Sequence, residues 1–350
     1  MNRAILTAIA AIALLAGCAA PEPRAEAPQA GAFQHDVDAG VRPWTHERFD
    51  NAPGKFTFAL FSDLTGGERA GVFDVAVAQL RLLRPELIVN VGDLIEGGTT
   101  DRAQLTREWD AFDRRARQAH APVFYLGGNH DLSNPAMWAV WDERYGRRHY
   151  HFRYRDVLFL VLNTEDNPPE FQWHADEIRN AAIERIDAEG WGVLPETAYG
   201  QLEERRTGRV GAAQADYFRD VIARNPDVLH TFVLLHKPAW ERPDEENFAR
   251  IEAALADRPY TVFYGHEHDY QHEVRHGRDY IGLGTTGGVQ SASKAMSVDH
   301  VTLVTVTPDG VDIANLKLSG IFGKDGRIPA GGEALCFEAR RCAEQPAPQH

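Results

Sequence analysis

The chain is predicted to be an α/β protein that carries its ligand site along one edge of its strands. Three observations lead there. Five runs of β-type apolar residues, Phe56–Phe61, Leu87–Val91, Val123–Leu126, Thr231–Leu235 and Tyr260–Tyr264, each stop just before a polar Asp, Asn or His. The first three of those polar residues, Asp63, Asp93 and Asn129, are 30 and 36 residues apart, intervals that suit βαβ crossovers. Apolar and charged contents of 43% and 25% are those of an ordinary globular protein, and 350 residues suit one large domain or a domain with an insert.

Residues 1–18 read as a targeting segment. Arg3 gives a positive start, and the 14-residue apolar run from Ala4 to Gly17 is short for a bilayer span. It ends in Leu15-Ala16-Gly17-Cys18, which resembles a bacterial lipobox and implies that Cys18 is acylated. The alternative is an ordinary secretory signal cut after a small residue such as Ala20. A lipid anchor on Cys18 would place the protein in the bacterial cell envelope, and Ala19 favours the outer membrane facing the periplasm. Residues 19–43, rich in Ala, Pro and Glu, read as a flexible tether.

A domain is expected over residues 44–320. Apolar residues at Val72, Val75, Val77, Leu80 and Leu83 predict a helix over Val72–Leu83, and a second covers Arg102–Gln118. His149–Tyr154 and Val157–Asn163 predict a hairpin turned at Arg155-Asp156. Helices follow near Gln214–Ala223 and Glu245–Ala256, and Tyr270–Leu318 reads as β-rich. The polar stretch 164–211, with an acidic helix around Trp173–Glu189, reads as a cap insert over the site or as a surface excursion. Trp138 and Trp141 are expected to pack. Residues 321–350 form a C-terminal tail, in which Cys336 and Cys342 can close a short disulfide loop or remain two free thiols.

The polar strand ends carry the chemistry. They are Asp63-Leu64-Thr65, Gly92-Asp93, Gly128-Asn129-His130-Asp131, His236 and Gly265-His266-Glu267-His268. Carboxylates, imidazoles and one amide oxygen suit Zn, Fe or Mn, and a carboxylate such as Asp93 can bridge two ions. For any one His a structural role is the commoner outcome. For His236, His266 and His268 together, ligation is the better reading.

In order and residue type these five blocks resemble the calcineurin-like metallophosphoesterase superfamily over roughly residues 55 to 310. The resemblance implies a four-layer αββα sandwich of two mixed sheets flanked by helices, with a dinuclear metal site at the strands' C-terminal edge. It implies a small phosphate-ester substrate, a monoester or diester, attacked by a metal-bound hydroxide. One ion would be held by Asp63, Asp93 and His268, and the other by Asp93, Asn129, His236 and His266. His130 would protonate the leaving oxygen, with Asp131 orienting its ring. One position departs from the pattern: Thr65 stands where the family has His. Water, or Glu68 in the same loop, would then complete the first ion's shell. Otherwise the site is degenerate and the chain is an envelope-anchored metal-binding protein of poor activity. A net charge of −14 argues against nucleic-acid partners and leaves the metals to draw in an anionic substrate.

Overall fold

The computed structural model describes residues 33–37, 40–49 and 55–344. The targeting segment 1–18, with Cys18, and residues 19–32 of the expected tether lie outside the described residues. No helix among the described residues is long and apolar enough to cross a membrane.

Two sheets make the fold. The larger contains β1 (Phe33–His35), β5 (Tyr150–Tyr154), β6 (Val157–Val161), β7 (His230–Leu234), β8 (Tyr260–Tyr264), β9 (Gln271–Arg275) and β10 (Arg278–Gly282), in the order β1-β5-β6-β7-β8-β10-β9. The smaller contains β2 (Phe56–Phe61), β3 (Leu87–Asn90), β4 (Val123–Phe124), β11 (His300–Thr307) and β12 (Gly310–Lys317), in the order β12-β11-β2-β3-β4. β2, β3 and β4 run parallel, as do β6, β7, β8 and β10, so the expected crossovers are present.

Side-chain alternation decides the layers. In β2, Phe58 and Leu60 meet Phe159 of β6, Phe232 of β7 and Phe263 of β8 between the sheets. Ala59 and Phe61 point the other way, onto helices α1 (Val72–Leu83), α2 (Arg102–Ala116) and α3 (Pro135–Tyr145). On the far side, Leu158 and Leu160 of β6 pack with α6 (Ala212–Arg224) and α7 (Glu246–Leu255). A strand whose residues are buried on both faces reads as a continuous apolar run, which is why these strands were visible in sequence. The architecture is the αββα sandwich.

Helix α1 has the bounds its periodicity predicts, and Arg84 stops it in the left-handed region at φ 52°. Asp101 caps α2 by accepting from the Ala103 N–H at 2.9 Å. The short helix α3 has no expectation behind it. Asn134 caps it on the Met137 N–H, Pro135 opens it, and Trp138 and Trp141 are buried packing residues as expected. The 164–211 stretch contains α4 (Pro169–Glu189) and α5 (Ala198–Gln201).

Both ends of the domain reach further than expected. Within the stretch read as a tether, β1 pairs with β5, and Val37 is buried in the inter-sheet core. The segment read as a tail returns to the domain through α8 (Ala339–Glu344). Phe337 joins the core under α1, and Cys336 and Cys342 form a disulfide with Cα atoms 6.3 Å apart.

Candidate metal centre

The five polar blocks converge where the C-terminal edges of the two sheets meet. Asp63 follows β2, Asp93 follows β3, Asn129 follows β4, His236 follows β7, and His266 and His268 follow β8. Each strand delivers its block to one place because parallel strands end at the same edge. Four of these residues have left-handed backbone: Asp63 (φ 44°), Asp93 (φ 57°), His266 (φ 72°) and His268 (φ 52°). Each such conformation in a non-glycine residue costs on the order of 1–3 kcal/mol and persists where a site requires it. Gly128 explains its own block, since a Cβ there would collide with the Asp93 carboxylate and the His236 ring.

Two triads of ligating atoms result. Asp63, Asp93 and His268 form one, and Asp93, His236 and His266 the other, with the atoms of each within 4.8 Å of one another. Asp93 belongs to both. His268 Nε2 lies 3.2 Å from Asp63 Oδ1, and His236 Nε2 lies 3.3 Å from Asp93 Oδ2. Asn129 Oδ1 is 3.1 Å from His236 Nε2, which adds an amide oxygen to the second triad.

A backbone carbonyl fixes each ring. His236 Nδ1 donates to Val91 O (2.7 Å), His268 Nδ1 to Val289 O (2.6 Å), and His266 Nε2 to Arg205 O (2.7 Å). With one nitrogen of each ring donating outward, the other carries its lone pair into the site, the arrangement metal-ligating imidazoles require. The donor set thus fits two divalent ions sharing one carboxylate.

Charge among these side chains follows from the same contacts. Burial opposes charge on Asp93, yet His236 and His130 hold its pKa far below the usual carboxylate range. His236 is raised to about 9 because Asp93 outweighs its burial. His268 is raised by Asp63 against burial, whereas burial and the neighbouring His236 push His266 well down.

The residues around the triads differ in part from expectation. His130 is beside the site, with its backbone N–H on Asp93 Oδ1 at 2.9 Å and its side chain 18% exposed. Asp131 does not orient the His130 ring. Its buried carboxylate accepts from the N–H groups of Leu94 (2.9 Å), Ile95 (3.1 Å) and Gly128 (2.8 Å), stapling the Asp93 loop to the Asn129 loop. Glu96 takes the orienting part: its carbonyl accepts from His130 Nδ1 at 2.8 Å, and its carboxylate is 4.0 Å away. Thr65 is occupied with the neighbouring loop. Its buried hydroxyl lies 2.8 Å from Ile95 O and 3.2 Å from Asp93 O, so its proton is spent on backbone. Glu68 is drawn off by an ion pair with Arg115 of α2 and does not fill the first ion's shell.

Sequence reasoning missed the supports. Val91, Arg205 and Val289 act through backbone carbonyls, which carry no residue-type signal. Arg69 is legible only in retrospect, from its place in the Gly66–Arg69 loop. It pairs with the buried Asp299 carboxylate (2.6 Å) and donates to Gly288 O (3.0 Å) and Cys336 O (3.0 Å). It thereby ties the 285–289 loop, whose Gly288 N–H bonds Asp63 O at 2.8 Å, to the disulfide-closed segment. The 164–211 stretch is tied down by a buried pair, Lys237 Nζ to Glu165 at 2.9 Å, with Lys237 also on Glu204 O at 2.8 Å.

The model of the calcineurin-like phosphoesterase family matches residues 56–270, well over half of the chain, and the chain belongs to that family. Among solved structures it is similar to a dimetal phosphatase from Danio rerio, at 17% identity, 75% of this chain, 96% of that chain and a TM-score of 0.51. It is also similar to a purple acid phosphatase from yellow lupin seeds, at 12% identity, 78% of this chain, 52% of that chain and a TM-score of 0.50. These likenesses show the fold. No curated protein matches the sequence. Family and donor set together make the protein a metal-dependent hydrolase acting on phosphoric ester bonds, with two divalent ions as cofactors.

Proposed function

We propose that the site hydrolyses a phosphomonoester or phosphodiester, with Asp63, Asp93 and His268 holding one ion and Asp93, Asn129, His236 and His266 the other. The observation that carries this reading is the pair of triads sharing Asp93 beside an unligated, partly exposed His130. When bound, the ions supply a water of lowered pKa as nucleophile and positive charge against the phosphate oxygens. The chain's own residues do the rest. His130 keeps Nδ1 on Glu96 O, which leaves Nε2 to give a proton to the departing oxygen. Asp131 holds Asp93 and Asn129 in register without touching the substrate.

The test is metal content per chain together with hydrolysis of nitrophenyl phosphate and bis-nitrophenyl phosphate. Two ions with turnover are expected, and the ratio of the two rates separates monoester from diester. His130→Ala should retain both ions and slow turnover by about a hundredfold or more. Loss of the ions in that variant would show the role given to His130 to be wrong. The alternative, a poorly active metal-binding protein, draws on Thr65, which adds no donor to the first triad. One ion per chain and no turnover after metal supplementation would select it.

We also infer that Cys18 carries a lipid anchor holding the enzyme in the cell envelope, on the outer membrane facing the periplasm. The Leu15-Ala16-Gly17-Cys18 sequence supports this. Labelled palmitate should enter the wild-type chain and not Cys18→Ser, and membrane fractionation should find the protein released in that variant.

A further inference from the structure

The 164–211 stretch contributes more than a carbonyl to the metal centre. Two of its polar side chains, Arg179 on α4 and Tyr199 on α5, enter a cleft that also has Asn129 in its wall. The other charged groups of that cleft are accounted for. Glu165 is paired with Lys237, Glu204 with Arg242, and Asp176 accepts from Asn134 and Asn180. Arg179 makes no ion pair or hydrogen bond among the described residues, and the Tyr199 hydroxyl makes no hydrogen bond there.

The place of Arg179 gives this meaning. Its guanidinium lies against Gly98, so closely that a Cβ at Gly98 would collide with it. Gly98 belongs to the loop that begins at Glu96, whose carbonyl holds His130, and a Cβ on Gly97 would strike the His130 carbonyl. Arg179 therefore packs against the loop that carries Glu96, in the cleft walled by Asn129 of the second triad. In a chain with 51 acidic and 37 basic residues, an arginine that shares a cleft with Asn129 and has no carboxylate partner among the described residues stands out. A planar guanidinium matches the two oxygens of a phosphate or carboxylate, and a phenol adds one further donor.

We propose that Arg179 and Tyr199 bind a second anionic group of the substrate in the cleft beside Asn129, and that the substrate class is therefore a phosphate ester carrying another phosphate or a carboxylate. This rests on the phosphoesterase reading of the same centre. It also gives the 164–211 stretch the part of a specificity-setting cap.

The test uses the full chain and three aryl esters with comparable leaving groups: phenyl phosphate, 4-carboxyphenyl phosphate and 1,4-phenylene bisphosphate. The readout is the ratio of kcat/KM for each probe with a second anionic group to that for phenyl phosphate, followed by phosphate release, with metal content measured in parallel. Wild type should favour at least one probe with a second anion by about tenfold or more, the size of a charge-assisted contact. Whichever probe is favoured tells phosphate from carboxylate. Arg179→Met should bring that ratio near unity with both ions retained, Arg179→Lys should keep part of it, and Tyr199→Phe should lower it less. Turnover of phenyl phosphate with no preference in wild type would overturn this proposal and leave the phosphoesterase reading standing. So would a preference that survives in Arg179→Met. If no ester is turned over with both ions bound, the reading of the centre fails and this proposal with it. The wild-type ratio does not depend on any variant folding.

Discussion

The two halves of the metal centre share Asp93 and little else. The half built on His236 and His266 sits against the sheets: His236 is fully buried at the end of β7, and its ring is held by Val91 at the end of β3. Its remaining support, Arg205 O, comes from the inserted stretch, which the buried Lys237–Glu165 pair fastens to the residue after His236. The half built on Asp63 and His268 is braced by loops. Val289 holds the His268 ring, Gly288 holds Asp63, and both depend on Arg69, Asp299 and the segment closed by Cys336 and Cys342. It is also the half in which Thr65 replaces an imidazole. One half is fixed mainly by strand ends. The other has fewer protein donors and relies on loops brought from far away in sequence.

The largest effect tests what the halves share. Asp93→Ala should remove both ions and lower turnover by at least about a thousandfold, because no carboxylate is left to bridge them. His266→Ala and His268→Ala should instead each leave one ion per chain, in opposite halves. Elemental analysis of the three variants checks this, and two ions lost in either His variant would mean that the halves do not bind separately. A further step separates the braces. Arg69→Met should weaken only the Asp63 half, by about tenfold or more in ion affinity, since it strands the buried Asp299 carboxylate and frees the 285–289 loop. Reduction of the disulfide should act in the same direction and more weakly. Competition with a chromogenic chelator reads both affinities, and equal weakening of the two would erase the distinction.

These braces are also where sequence reasoning stopped. The strands were legible because burial on both faces leaves unbroken apolar runs, and the ligands because each run ends in a residue type with little other reason to be there. The helix bounds of α1 were legible because its apolar positions repeat at helical spacing. By contrast, the carbonyls of Val91, Arg205 and Val289 are backbone atoms, and their use depends on tertiary position alone. The error over Asp131 has a similar root. The resemblance implied that Asp131 orients the His130 ring, but here the turn aims Asp131 inward at three backbone N–H groups and leaves His130 to Glu96. Helix α3 escaped notice because apolar residues surround it: Met137, Trp138, Val140 and Trp141 bury one face, while Ala136 and the exposed Ala139 lie on the other and blur the amphipathic period.

Proton competition should sharpen the same comparison. A ligating imidazole must be neutral, and in the ion-free protein Asp93 holds the pKa of His236 near 9. Below that value ion uptake at this half releases a proton, so apparent affinity should fall by up to about tenfold for each unit of pH decrease. It should become independent of His236 above pH 9. His268 is raised by Asp63 in the same sense, while His266, pushed well down, contributes no such dependence. Calorimetric titration in buffers of different ionisation enthalpy counts the protons released, and no release at pH 7 would mean that His236 is neutral before the ion arrives.

The smallest effect decides what Thr65 is. If its hydroxyl were an ion ligand, Thr65→Val would take one ion from the Asp63 half. The geometry gives a different expectation. The hydroxyl serves Ile95 O and Asp93 O, and the side chain is 1% exposed. Valine keeps the volume and removes one hydrogen bond from a buried loop, so stability should fall by about 1 kcal/mol. The count should stay at two ions per chain, because the carboxylates of Asp63 and Asp93 and the His268 ring are untouched. Denaturant titration and elemental analysis on one sample read both quantities. Unchanged stability with one ion lost would place Thr65 among the ligands. A small loss of stability with both ions present would show that the half-site works with three protein donors, and that Thr65 replaces the missing imidazole only as a brace for the Asp93 loop.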